Sequence, residues 1–188
     1  MLPSEAETVA KVDSYAYQND PIVLAIFQLN SEKARRMKEE RNINFYTNRP
    51  QDTFVAVYRG EIIGLIRSFP CTGVFMDLFY AESEYEQFIN SKIEDLTQEQ
   101  RRKWWYMTMK KNDLKTSHTH MGPFAVLPEY QGKGVGSKLF QNYLSKLKGI
   151  SCFETFTEEN AHFYEKRGHK IVTVDEVLGI KGYWLRRD

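Results

Sequence analysis

Apolar positions recur first at helical spacing, then in alternation, then at helical spacing again, and each change of period marks a boundary. The stretch from Ser4 to Tyr17 reads as a short helix, with Ser4 as N-cap and Glu5 and Glu7 in its first turn. "NDP" at 19–21 breaks that helix and starts another, with Asp20 as cap and Pro21 in the first helical position. The charged run "NSEKARRMKEERNINFY" is helical by propensity, with Asn30 or Ser31 as its cap. The period then shortens. "DTFVAVYRGEIIGLIRSF", 52–69, is two β-rich runs joined at Arg59-Gly60, the pattern of a hairpin. Residues 74–111 return to helical texture in two segments parted near Leu96-Thr97, and Thr97 with Gln100 has the spacing of a capping box.

Ser117 to Val126 reads as a strand interrupted by Gly122-Pro123, since proline donates no ladder hydrogen bond. After a glycine-rich turn, Leu139, Phe140, Tyr143, Leu144 and Leu147 form one apolar stripe at helical spacing. "ISCFETFT", 150–157, is a further strand. Thr157 caps a helix that carries Glu158 and Glu159 in its first turn and ends at Gly168. "HKIVTVDEV" and "KGYWLRR" read as a closing pair of strands. The order predicts an α/β protein with a mixed sheet. Without repeats or a low-complexity linker, residues 1–188 are expected to form a single domain.

Composition narrows the function classes. Lysine plus arginine (26) nearly balances aspartate plus glutamate (25), so neither nucleic acid nor an acidic membrane is an expected partner. Cys71 and Cys152 alone make no disulfide framework and no four-cysteine zinc site. "MLPSEAETVA" has neither the basic nor the apolar region of a signal peptide, and "IVLAIF" is far too short to span a bilayer. A cytoplasmic location is the expectation.

The chemistry concentrates in "FAVLPEYQGKGVGSKLF", 124–140. The order Gly136-Ser137-Lys138 is wrong for a Walker A loop, and Gly132, Gly134 and Gly136 have the wrong spacing for a dinucleotide fingerprint. What remains is strand, glycine loop and amphipathic helix. Glycines let successive backbone N–H groups converge, and the helix N-terminus adds donors and a positive dipole end, so the loop suits phosphate.

The motif Val126-x-Pro128-x-x-Gln131-Gly132-x-Gly134-x-Gly136 resembles the acetyl-CoA signature of the GNAT superfamily of N-acetyltransferases. "NAHFYEKRGHKIV", 160–172, is similar to the family's second signature, with His169 where phenylalanine or tyrosine is usual. "VAVYRGEIIGLI" fits its second and third strands. The resemblance covers 52–69 and 117–187 well and the N-terminal 50 residues and 74–111 loosely, and no first strand precedes the opening helix. It implies a mixed, mostly antiparallel twisted sheet of six to seven strands, splayed at the fourth and fifth strands and flanked by helices.

The resemblance further implies an N-acetyltransferase with acetyl-CoA as co-substrate. The pyrophosphate would sit on the backbone of Gly132, Lys133, Gly134, Val135, Gly136 and Ser137 beside Gln131, and the pantetheine arm along Phe124, Ala125 and Val126. Asn160 would hydrogen-bond the coenzyme, and Tyr164, one helical turn on, would protonate the departing thiolate. His118 and His120 alternate on their strand and share a face, so either could deprotonate the amine, or the pair could simply shape the cleft wall. The pair shows no third ligand in sequence, so no metal is expected, and Cys152, with no histidine near it in sequence, is left out of the site. "KWWYM", 103–107, reads as helix-to-sheet packing or, with Phe75, Phe79 and Tyr80, as a wall of the acceptor pocket. The helical stretch between strands suggests a lidded pocket and so a small primary amine. The "HTHMGPFAV" strand, 118–126, also looks like that of GNATs acting on small amines. A peptide or protein acetyltransferase and a non-catalytic coenzyme A or metabolite binder are the alternatives, and a homodimer would suit the family.

Overall fold

The computed structural model describes residues 1–27, 31–72 and 92–188. Of the stretch 74–111 predicted as helical, residues 74–91, with Phe75, Phe79 and Tyr80, lie outside them, as does Asn30. Six strands among the described residues form one sheet: β1 (Thr53–Tyr58), β2 (Glu61–Cys71), β3 (His118–Val126), β4 (Ser151–Thr155), β5 (Lys170–Val177) and β6 (Ile180–Arg187). Their order is β1-β2-β3-β4-β6-β5. β3 and β4 are parallel; β1–β2, β4–β6 and β5–β6 are antiparallel. The helices are α1 (Ala6–Ala16), α2 (Pro21–Phe27), α3 (Ser31–Asn48), α4 (Gln98–Asn112), α5 (Val135–Leu144) and α6 (Glu158–Glu165). By contacts the chain falls into two compact units.

The first unit comprises Met1–Asn19, Leu29–Phe69 and Met121–Lys148. Its opening differs from the sequence reading. Pro3–Glu5 is a 3₁₀ turn, and Glu5 rather than Ser4 ties the entry by accepting the Leu2 N–H. Proline at the start of that turn cannot donate, and the longer carboxylate reaches back where a serine hydroxyl would not. The β1–β2 hairpin turns at Arg59 and Gly60, both at positive φ (50° and 84°), as a tight two-residue turn requires. Ala6, Val9, Ala10, Val12, Tyr46, Ile62, Leu65 and Ala125 form its core.

α3 is predominantly charged and polar, yet it packs on α1. Beside Ile43 and Tyr46, which join the apolar core, the contact is polar. Asp13 of α1 is fully buried, and its two oxygens accept from Lys38 Nζ (2.5 Å), Asn42 Nδ2 (2.7 Å) and Tyr46 Oη (2.9 Å). Those donors are four residues apart, one stripe of a helix.

The second unit comprises Asp20–Gln28, Pro70–His120 and Gly149–Asp188. Asp20 caps α2 as predicted, its Oδ1 accepting from Ile22 and Val23 N–H, and Thr97 and Gln100 form the predicted reciprocal box on α4. Buried Arg101 donates to the Ile26 and Leu96 carbonyls, joining α2 to α4. Thr157 caps α6, and the β5–β6 hairpin turns at Leu178 and Gly179, again at positive φ (55° and 73°). Trp105 and Tyr106 pack against Met109 and Trp184, the packing role expected of the "KWWYM" segment. The β3–β4 ladder pairs Thr119 with Ser151 and His120 with Cys152. That register decides what surrounds the histidines.

Candidate active site

The glycine loop lies in the first unit. A 3₁₀ turn at Pro128–Tyr130 ends β3, and Gly134 at φ 80° is the N-cap of α5. A Cβ at Gly132 or Gly134 would meet nothing within 4 Å, so these glycines serve their left-handed backbone (φ 70° and 80°) and leave open space above it. The first intrahelical bond of α5 runs from Lys138 N to the Gly134 carbonyl, so the preceding N–H groups fall in the helix's first turn. Lys133 is exposed with its ammonium 5.7 Å from the Tyr130 ring, and Val135, Gly136 and Ser137 are half-buried.

The strand ahead of the loop departs from a bare pairing edge. Leu127 N–H bonds the Ile63 carbonyl of β2, so alternation turns Phe124 and Val126 to the opposite edge of β3. There the Tyr17 hydroxyl donates to the Phe124 carbonyl (3.1 Å) and accepts its N–H (3.3 Å), while Gln131 Nε2 donates to the Val126 carbonyl (2.9 Å). Side chains of the protein thus hold the backbone groups expected to pair with pantetheine, and Gln131 braces the loop onto β3. Tyr17 carried no signal in the sequence.

The proton-transfer candidates lie in the second unit. His118 and His120 face the same way, ring centroids 6.2 Å apart, and both are buried. Asp113, just past α4, sits between them, its Oδ1 3.4 Å from His118 Nε2 and 3.8 Å from His120 Nδ1. His118 Nδ1 bonds the Thr116 carbonyl at 2.7 Å. His120 Nε2 lies 3.4 Å from Glu154 Oε2. Cys152 Sγ is 3.5 Å from Asp113 Oδ1 and 3.9 Å from His120 Nδ1. The expectation that the histidines lack further ligands fails here. Parallel pairing places Cys152 beside His120, and the chain leaving α4 brings Asp113, neither of which sequence spacing reveals.

Burial dominates the electrostatics. It lifts the Glu154 carboxyl to about 7 against the pull of His120, with the charge of Asp113 adding to the rise. It pushes the Cys152 thiol far above its ordinary range, with Asp113 and Glu154 reinforcing, and the Cys71 thiol to about 11. Tyr164 is buried against Phe153 (centroids 4.2 Å), and burial with the nearby Glu154 charge raises its phenol, which therefore stays protonated. Asn160 and Tyr164 do not share an environment: Asn160 is exposed in the capped first turn of α6, whereas Tyr164 is buried a turn deeper. A cavity in this unit is lined by Asp113, His120, Cys152 and Glu154 on its polar side and by Met109 and Trp184 on its apolar side.

Residues 21–169 match the model of the Acetyltransferase (GNAT) family. The chain belongs to that family. Its sheet, with one parallel pair in a mostly antiparallel arrangement, is the fold of solved GNAT proteins. One is the Corynebacterium glutamicum histone acetyltransferase HPA2 and related acetyltransferase (TM-score 0.67, 14% identity, 98% of this chain and 91% of that one). Another is the Drosophila melanogaster polyamine N-acetyltransferase (0.65, 12%, 99% and 95%). A third is the PaiA N-acetyltransferase of Thermoplasma acidophilum, solved with coenzyme A (0.59, 13%, 100% and 95%). In sequence, the chain is 35% identical over 63 residues to the uncharacterized N-acetyltransferase YjhQ of Escherichia coli K12, a match spanning 34% of this chain and 32% of that protein. This GNAT family member has, among its described residues, no helix long and apolar enough to cross a membrane.

Proposed function

We propose that this GNAT protein transfers the acetyl group of acetyl-CoA to a primary amine of a small molecule. The observation that carries the coenzyme half is the loop at 131–137, with two glycines at positive φ under open space and a helix N-terminus directly behind them. The amine half draws on the second unit, where His118, His120, Asp113 and Glu154 gather proton acceptors and carboxylates of the kind a cationic amine would meet. Two structural relatives are named for polyamine and agmatine acetylation, which is consistent with that class of acceptor.

In this reading a ring nitrogen of His118 or His120 takes the proton from the ammonium. The free amine attacks the thioester carbonyl, the C–S bond breaks, and Tyr164 gives its proton to the leaving thiolate. The second proton of the attacking nitrogen, lost as the amide forms, restores the phenol, and the histidine releases its proton to solvent. The reaction would be followed as amine-dependent thiol release from acetyl-CoA over a panel of polyamines, agmatine, aromatic amines and short peptides. Wild type should turn over one of the small amines, and Gly134→Asp, which places a carboxylate beside the phosphates, should lose coenzyme binding by calorimetry. Coenzyme binding with no amine acetylated above hydrolysis would refute the transferase reading, and undiminished binding by Gly134→Asp would refute the loop assignment.

A further inference from the structure

We infer that Asp113, His118, His120 and Cys152 form a binding site for a zinc-class divalent ion. The four residues come from the exit of α4, two alternate positions of β3 and one of β4, and all are buried. Each offers one ligand atom, and the four atoms lie within 4.8 Å of one another. Four of the six separations are 3.4, 3.8, 3.5 and 3.9 Å. Ligands at about 2.0–2.3 Å from a tetrahedral zinc stand roughly 3.3–3.8 Å apart, so these edges are close to those of a coordination tetrahedron. Two imidazoles, a thiolate and a carboxylate form a donor set suited to zinc rather than to magnesium or calcium, which take oxygen.

The surroundings fit the same reading independently. A metal-bound imidazole ordinarily uses its other nitrogen to donate to a carbonyl or carboxylate, which fixes the tautomer. His118 has its Nδ1 on the Thr116 carbonyl, which leaves the Nε2 lone pair directed at the cluster. That Nε2 is fully buried and makes no hydrogen bond of ordinary geometry, with Asp113 Oδ1 at 3.4 Å. His120 is arranged the other way round, Nδ1 in the cluster and Nε2 toward Glu154. Charge also closes: one carboxylate and one thiolate balance a dication, the thiol releasing its proton to solvent as the S–metal bond forms.

The inference goes beyond the acetyl-transfer reading and sets a condition on it. An ion here occupies the ring nitrogens assigned to proton abstraction, so the metal-loaded protein should be silent as an acetyltransferase and the chelated protein active. Binding is tested without reference to activity. Chelator-treated full-length protein is titrated with cobalt(II) under reducing conditions, followed by zinc displacement. One ion per chain should bind, with the visible absorption of tetrahedral cobalt and a near-ultraviolet thiolate-to-cobalt band, and zinc should erase both. Cys152→Ser should remove the thiolate band, whereas Cys71→Ser should retain it. Glu154→Gln should weaken zinc binding about 10–100-fold through loss of support for His120. A wild-type titration without saturation at one ion, or a thiolate band that survives Cys152→Ser, overturns the inference. Failure of acetyl transfer by the chelated protein, with an intact cobalt spectrum on reloading, would refute only the catalytic reading.

Discussion

His169 stands where the family usually places an aromatic residue, and replacing it with phenylalanine should reverse the order of stability of the two proteins between pH 7 and pH 5. The imidazole is 2% exposed, packed edge-on to Phe153 (4.9 Å) and Tyr164 (6.5 Å), with Nε2 3.3 Å from the buried Ser151 hydroxyl. Burial, aided by the charge of Arg187, lowers it from 6.5 to about 4. Between those values the unfolded chain binds the proton and the folded chain does not, so stability rises with pH across the window. The contribution is complete above 6.5 and is lost as the pH falls through 4. At about 1.4 kcal/mol for each tenfold difference, the whole window is worth roughly 3 kcal/mol, of which ~2 kcal/mol is gone near pH 5. His169→Phe keeps the ring contacts, forfeits the Ser151 hydrogen bond at about 1 kcal/mol, and has nothing to titrate. Urea unfolding followed by tryptophan fluorescence, at constant ionic strength, should find the variant ~1 kcal/mol less stable near pH 7 and ~1 kcal/mol more stable near pH 5. Parallel stability curves across that range would show that His169 does not titrate as its burial requires.

Other substitutions probe the two units separately. Tyr17→Phe removes the hydroxyl that occupies both backbone groups of Phe124, so coenzyme A affinity by calorimetry should rise about 5-fold if pantetheine competes for them. An unchanged or weaker affinity would mean that the coenzyme bypasses Phe124. Tyr164→Phe should leave the melting temperature nearly unchanged and lower kcat about 100-fold or more, and a variant that keeps full kcat would remove Tyr164 from the chemistry. Asp13→Ala strands three donors, with Lys38 and Tyr46 buried, and should destabilise the protein by about 3–5 kcal/mol in urea titration. Gly64→Ala would place a methyl 2.9 Å from the Ala125 carbonyl, so β2 and β3 must shift at a cost of about 1–3 kcal/mol.

Local chemistry was legible in the sequence because its determinants are local. Asp20, Thr97 and Thr157 cap the helices they were expected to cap, and the Arg59-Gly60 turn and the glycine loop stand where composition put them. Ser4 was misread because a hydroxyl followed by acids resembles a cap even when a preceding proline starts a 3₁₀ turn. The surroundings of the histidines were not legible. Their partners Cys152 and Glu154 arrive through a parallel pairing across more than thirty residues, and Asp113 through the path of a loop, none of which leaves a periodic trace. Tyr17 was hidden for the same reason: its hydroxyl acts 107 residues away in sequence, on backbone atoms that carry no residue-type signal.

The Asp13 stripe also bears on how α1 and α3 find one another. Apolar faces slide with little loss, because one leucine replaces another against the same surface. Here Lys38, Asn42 and Tyr46 rise turn by turn, and a single carboxylate receives all three. Sliding α3 by one turn would bring Ala34, an apolar residue, into line in place of one of them. The pair is therefore keyed to one alignment by a lock with three pins, and a helix whose sequence looks indifferent to burial is the one whose placement leaves the least latitude.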